Sequence, residues 1–256
     1  MQTIPILGLP LAVTNYHGAV AEIKQMAGDR SRAYAVEAAN TMVVTLARHD
    51  PDFGKVMGHF DMTVPDGMPL VWCLNRHLPA GQKLTGRVYG PELMLRTFEA
   101  SQGDPQQTHF LLGGTSEVLA ELTTNLSRRY AGAVIAGSYS PPFGPWDETE
   151  QQTIFAKIRN SGASLIWVGL GCPKQERWIA AQKDRLPPGV YFGIGAAFAF
   201  HAGKVKNAPD WLQRIGMEWA FRLIMEPRRL FVRYFKYNTL FLYYLFLGKS
   251  PVLNHS

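Results

Sequence analysis

The chain has 256 residues, 46% of them apolar and 18% charged, and its formal net charge is +6. That length can bury a sizeable core in one domain, or in one domain with an appendage, and the composition excludes a disordered chain. Cys73 and Cys172 stand far apart in no paired motif, so neither a disulfide framework nor a zinc site is expected, and the thiols suit a reducing cytoplasm.

Residues 1–10 show neither a basic lead nor a cleavage site, so no signal peptide is expected. Residues 4–11 predict a strand, and Thr14 is placed to cap a helix over 16–26. A strand-like segment over 32–39 ends at Asn40; a helix over 41–48 follows, and Asp50-Pro51 is expected to stop it. A short strand over 60–64 turns at Pro65-Asp66-Gly67 into a helix over 68–76. Gly90-Pro91 opens a helix over 92–101, with Pro91 suited to the first turn.

The strand over 109–112 ends in Gly113-Gly114-Thr115-Ser116 and leads into a helix over 117–130. Next come a strand over 133–138, a loop rich in Pro and Gly over 139–147, and a helix over 148–161. The most apolar strand, 164–168, ends in Gly169-Leu170-Gly171-Cys172-Pro173, a helix begins near Lys174, and 190–194 is the last core strand. Such alternation predicts an α/β fold, a parallel sheet with helices on both faces, over residues 1–209.

From about residue 210 to 256 the pattern is helical, basic and aromatic, which predicts a C-terminal appendage. Seven Arg or Lys lie between Arg214 and Lys249, opposed only by Glu218 and Glu226. Such a segment suits an anionic partner, or else a solvated basic helix. The longest apolar run, 240–247, falls far short of the ~20 residues that cross a bilayer and suits its interface.

In open parallel sheets ligands bind outside the carboxyl ends of the strands. Four such ends are polar or glycine-rich here: Asn40, Asp66-Gly67, Gly113-Gly114, and the stretch from Gly169 to Glu176. Gly113-Gly114 and Gly171 to Lys174 have the makings of phosphate cradles, with backbone N–H groups and a helix N-terminus. Neither is a P-loop or a dinucleotide fingerprint, and each reads equally well as a plain strand-to-helix turn. Asp66 reads as a helix N-cap or as a carboxylate that takes a proton from a hydroxyl. Asp50-Pro51-Asp52 has the letters of a metal-binding Asp-x-Asp, but it follows a helix end and its proline fits a turn. No metal is therefore expected, and a leaving diphosphate would be stabilised by Arg, Lys and backbone N–H groups.

Six blocks in order carry a resemblance: Val64 to Met68, Arg87 to Gly90, Phe110 to Gly114, Gly169 to Trp178, Gly193 to Gly203 and Gly216 to Arg229. Together they resemble the WecG/TagA/CpsF family of glycosyltransferases from about Ile6 to Arg233. The resemblance implies a Rossmann-like core and an inverting, metal-independent transferase. It also implies a UDP-sugar donor, an undecaprenyl-diphosphate-linked acceptor, and a peripheral site on the cytoplasmic face of the plasma membrane, held by the appendage. Glucose is the favoured sugar, as in the GumM-like exopolysaccharide branch, with N-acetylmannosamine or its uronic acid next.

On that resemblance Asp66 is the general base. Asn40 and Arg87 line the donor pocket with Gly113, Gly114, Gly171 and Lys174, and Gln175 with Glu176 holds sugar or diphosphate. Arg222, Arg229 and Arg233 would share a face on one continuous helix, unless Pro227 interrupts it, and suit a pyrophosphate or lipid head groups. Phe231, Tyr234, Phe235 and Tyr237, with the 240–247 run, suit an interfacial anchor or an ordinary packing helix. Three positions depart from the family: Ala199 for its usual Asp, Ala38 for a Thr in some members, and Asn207 for a common Arg. Ala199 lends weight to an alternative, a non-catalytic membrane-binding module. Nucleic acid is not an expected partner, since no recognition helix or stacking sheet is evident.

Overall fold

The computed structural model describes residues 1–205, 208–209, 211–212, 216–225 and 227–247, without the side chains of Glu218, Arg229, Leu230 and Arg233. The segment expected as a single first strand is a hairpin, β1 (Thr3–Ile6) against β2 (Leu9–Ala12). Leu7 and Gly8 turn it with φ of 51° and 93°. Two positive φ values in a two-residue loop match the twist of the flanking strands. Glycine takes this conformation without strain, and Leu7 is held in it by packing on the core.

Helix α1 (Tyr16–Gly28) is capped by Asn15, not Thr14, because Asn15 immediately precedes the first turn and its Oδ1 accepts from the Gly18 N–H at 3.0 Å. The central strands are β3 (Ala33–Ala39), β4 (Met62–Pro65), β5 (His109–Gly113), β6 (Ile135–Tyr139), β7 (Leu165–Gly169) and β8 (Gly189–Gly193). All pair in parallel, in the order β4-β3-β8-β7-β5-β6, which is a Rossmann-like sheet. Successive side chains of a strand point to opposite faces. Accordingly Trp167 and Phe192 pack with Ile23, Leu93, Phe98 and Leu119, whereas Ile166, Val168 and Tyr191 pack on the other side with Phe155, Ile158 and Ile179.

The first of these layers contains α1, α5 (Gly90–Ser101), α6 (Ser116–Arg129) and α9 (Ala196–His201); the second contains α7 (Glu148–Ser161) and α8 (Lys174–Gln182). His109 lies wholly inside the first, stacked 3.6 Å from the Phe98 ring. The Trp167 indole N–H donates to its Nδ1 at 3.0 Å, so its Nε2 carries the proton and donates to Ser101 Oγ at 2.8 Å.

A third cluster joins the hairpin to α2 (Thr41–His49), α3 (Pro51–Met57) and α4 (Met68–Asn75). Asp50 does more than stop α2: its Oδ1 accepts from the N–H groups of Asp52 and Phe53, so it caps α3, with Pro51 in the first turn. Its other oxygen accepts from Arg177 Nη2 at 2.8 Å, and Asp52 pairs with Lys55. The Asp-Pro-Asp letters are thus a helix start. Among the described residues no group of three or more His, Cys, Asp or Glu side chains is arranged to hold a metal.

The C-terminal segment forms α10 (Glu218–Met225) and α11 (Pro227–Phe246). Pro227 opens α11, so Arg222 lies on one helix and Arg229 and Arg233 on the next, with the last two side chains outside the described residues. Arg214 and Asn207 also fall outside them. Helix α11 runs along α2 and sends Phe241 into the third cluster. His49 Nδ1 meets the Tyr244 hydroxyl at 2.8 Å, and the Arg48 guanidinium lies 5.4 Å from the same ring. Among the described residues no helix is long and apolar enough to cross a membrane.

Candidate active site

The carboxyl ends of β3, β4, β7 and β8 open into one cavity of about 720 Å³, whose far wall is formed by α10 and α11. Its lining includes Asn40, Asp66, Arg87, Gly171, Gln175 and Arg222, all anticipated from the sequence. Gly113, Gly114, Lys174 and Glu176 do not line it. Gly113 continues the β5–β7 ladder opposite Gly169, and Gly114 accepts from Ser140 Oγ at 2.7 Å. Lys174 Nζ lies 5.2 Å from the Phe143 ring, and Glu176 is buried beneath the cavity floor.

Each lining residue is placed by a local rule. Asn40 follows β3 and caps α2, its Oδ1 accepting from Met42 and Val43 at 3.0 and 3.2 Å. Its amide nitrogen donates to no described residue. Asp66 follows β4, where its own N–H donates to the Ala39 carbonyl at 2.9 Å, which ties β4 to β3 at the mouth. The cap position of α4 falls on Gly67, with no side-chain cap bond, so the Asp66 carboxyl faces the cavity rather than serving as the cap.

Arg87 Nη1 donates to the Asp66 carbonyl at 3.3 Å and its guanidinium covers the Tyr89 ring at 4.1 Å. Tyr89 N–H in turn donates to the Tyr16 hydroxyl at 3.0 Å. Burial, reinforced by the nearby Asp66 charge, pushes the Tyr16 phenol up to about 12, so it stays protonated and anchors this segment. From α10, Arg222 sits 5.4 Å from the Phe200 ring, its Nε buried without a hydrogen-bond partner among the described residues. An arginine so placed has donors to give to an anion.

Arg76, at the end of α4, is a third cation on the wall that sequence reasoning missed, for nothing local marks it. Glu37 was also missed, although a signal existed: it is the one acidic residue in the otherwise apolar run from Ala33 to Ala39, and acids in buried strands are rare. It lines the cavity and is buried. Beyond these groups the wall is apolar and aromatic, with Trp72, Trp219, Tyr234, Tyr237 and Leu245. Ala199 also lines the cavity, so a carboxylate at that position would face into it.

The arrangement sets a carboxylate and three arginines on the wall of one cavity, together with apolar side chains of α4 and the C-terminal helices. It fits a ligand with an anionic centre, a hydroxyl to be deprotonated and an apolar tail. A model of the glycosyl transferase WecG/TagA/CpsF family matches residues 4–252.

Proposed function

Since the chain belongs to the WecG/TagA/CpsF family of glycosyl transferases, we propose that it moves a sugar from a UDP-sugar to a polyprenyl-diphosphate-linked saccharide. Glucose is the first choice of sugar, with N-acetylmannosamine or its uronic acid next. The observation that carries this is the meeting of Asp66 with Arg76, Arg87 and Arg222 in one cavity that has an apolar wall.

In this proposal the Asp66 carboxylate takes the proton of the acceptor hydroxyl as that oxygen attacks the anomeric carbon. A new C–O bond forms there, the bond to the diphosphate breaks on the opposite face, and the configuration inverts. UDP leaves with the electron pair. Its growing negative charge is met by guanidinium groups instead of a metal, in a cavity where water screens poorly.

The exposed apolar side chains of α10 and α11 support a seat on the cytoplasmic face of a membrane. Ile224 is 78% exposed, Val232 73% and Phe235 68%, and Arg228 and Lys236 lie exposed among them. Apolar groups flanked by cations suit the boundary between head groups and acyl chains. The same helices wall the cavity, so a lipid-linked acceptor would reach Asp66 without leaving the membrane. A second proposal, a membrane-docked module without catalysis, is favoured by Ala199 alone.

Calorimetric titration with UDP, UDP-glucose and UDP-N-acetylmannosamine, repeated on Ala199→Asp, separates the two. Preferential binding of one UDP-sugar is expected and names the donor. Binding only by Ala199→Asp would mark this chain as a disabled transferase. No binding by either form, with or without the lipid acceptor, would overturn the transferase proposal.

A further inference from the structure

At and beneath the cavity floor two glutamates from different elements are buried together, with no counter-ion among the described residues. Glu37 comes from β3, between the buried apolar residues Val36 and Ala38. Glu176 comes from the first turn of α8 and is fully buried. Among the described residues no hydrogen-bond donor faces the Oε2 atom of either, yet the two side chains lie within hydrogen-bond reach of each other. Ionised carboxylates only accept, so a bond between two of them needs a proton.

Packing confines the Glu37 carboxyl on the side of β8. A Cβ on Gly193 would stand 2.1 Å from Glu37 Oε2, so β8 presses directly on that oxygen. On the other side Gln175 Nε2 donates to Glu176 Oε1 at 3.1 Å. The Gln175 Oε1 accepts from the backbone N–H of Gly171 at 3.1 Å and of Gly195 at 3.2 Å. One chain of bonds therefore runs from β3 through the two acids to the loops after β7 and β8.

The surrounding charges do not relieve the pair. Glu176 and Asp66, both acidic, are the charges that act on Glu37. Strand β4 has no titratable side chain, and Tyr191 of β8 spends its hydroxyl on the Pro187 carbonyl. Helix α2 has its Arg48 and His49 in the last turn, beside Tyr244, while on α8 Lys174 lies by Phe143 and Arg177 pairs with Asp50. The Cys172 thiol also reaches Glu176. Burial, with these acidic neighbours, pushes Glu37 well above the usual carboxyl range, and burial lifts Glu176 to about 6.

We propose that Glu37 and Glu176 hold one proton between them, and that this proton fixes the Gly171 and Gly195 loops at the floor of the Asp66 cavity. Both are positioning residues. Its loss would set two anions in contact beneath a third, Asp66, and the chain of bonds to the loops would open. The shared proton stands on the burial and contact of the two acids; its consequence for transfer rests on the transferase proposal.

Denaturant unfolding of the full chain, measured from about pH 6.5 to about pH 8, tests the shared proton. His109, His201 and Cys73, shifted by burial, also change the balance in that window, but they are common to the unaltered protein and its variants and cancel when the slopes are compared. The folded state keeps a proton that the unfolded chain has released, so the unfolding constant of the unaltered protein should rise more steeply with pH than that of the variants, by up to about tenfold per pH unit. Glu37→Gln supplies an amide N–H in place of that proton and should lose this extra slope; Glu176→Gln, which serves if the first variant does not fold, should reduce it, because an amide donor then meets the Glu37 carboxyl. Equal slopes in all three proteins would overturn the shared proton. In transfer assays, with each protein compared to its own rate near pH 6.5, the alkaline limb should lie higher in Glu37→Gln than in the unaltered protein. An unmoved limb would overturn the positioning role. Absence of transfer in every form would instead fail the transferase proposal, while the unfolding slopes still decide the proton.

Discussion

Asn40 spends its side-chain oxygen on the first turn of α2 and keeps its amide donors for the cavity. The two halves of one side chain can be tested apart. Asn40→Asp keeps the capping oxygen, so unfolding free energy should change by no more than ~0.5 kcal/mol. It removes both donors and adds a charge, so UDP-sugar affinity should fall; unchanged affinity by calorimetry would take Asn40 out of the site. Asp66→Asn should lose transfer by about 10²–10⁴-fold while donor binding is kept, since a general base acts only on the proton. Normal turnover would remove Asp66 from the chemistry. Both residues were legible in the sequence, because Asn40 stands at a strand end before a helix and Asp66 sits in Pro65-Asp66-Gly67 at another. Glu37 was not read, though a lone acid in a buried strand was its signal.

At the scale of elements, α11 divides its apolar residues between two tasks. Phe241 is buried against α2 and Leu245 packs beside it, whereas Phe231, Val232, Phe235 and Phe246 face outward. The period of a helix permits both faces. Replacing Phe231 and Phe235 by serine should leave folding nearly unchanged, because both are exposed. Binding to anionic vesicles in flotation should weaken about tenfold or more, on the scale of two lost apolar side chains. Undiminished flotation would rule out α11 as the anchor. The sequence pattern marked this helix as basic and apolar but not its docking, since the partners of Phe241 lie far away in the chain. The hairpin was missed differently: residues 4–11 read as one apolar run, although Gly8 was a local turn signal, and the positive φ values at Leu7 and Gly8 divide it.

For the whole molecule, buried titratable groups of opposite type set the pH of greatest stability. Burial pushes His109 down to about 3, so below pH 6.5, its ordinary value, the unfolded chain takes up a proton that the folded one refuses. Stability from this residue falls as pH drops from 6.5 towards 3, by about 1.4 kcal/mol per unit. The buried acids act in reverse. Above pH 4.5 the unfolded Glu37 and Glu176 release protons that the folded state retains, so stability falls as pH rises, until about 6 for Glu176 and further for Glu37. Denaturation from pH 4 to 8 should therefore show a maximum on the mildly acidic side, between 4.5 and 6.5. A maximum at or above neutral pH would contradict these burials.

The sequence by itself determined the alternation of strands and helices, the polar strand ends, the general base candidate and the family. These are carried by period, turn chemistry and short blocks, all of which are relations between near neighbours in the chain. Only the tertiary structure decided which strand ends meet. The order β4-β3-β8-β7-β5-β6 brings Asn40, Asp66, Gly171 and Gly195 to one cavity and leaves Gly113-Gly114 off its wall. It also set Glu37 against Glu176 and laid α11 along α2. Such contacts join segments remote in sequence, and they are selected by the burial and close packing of the assembled layers, which no local pattern encodes.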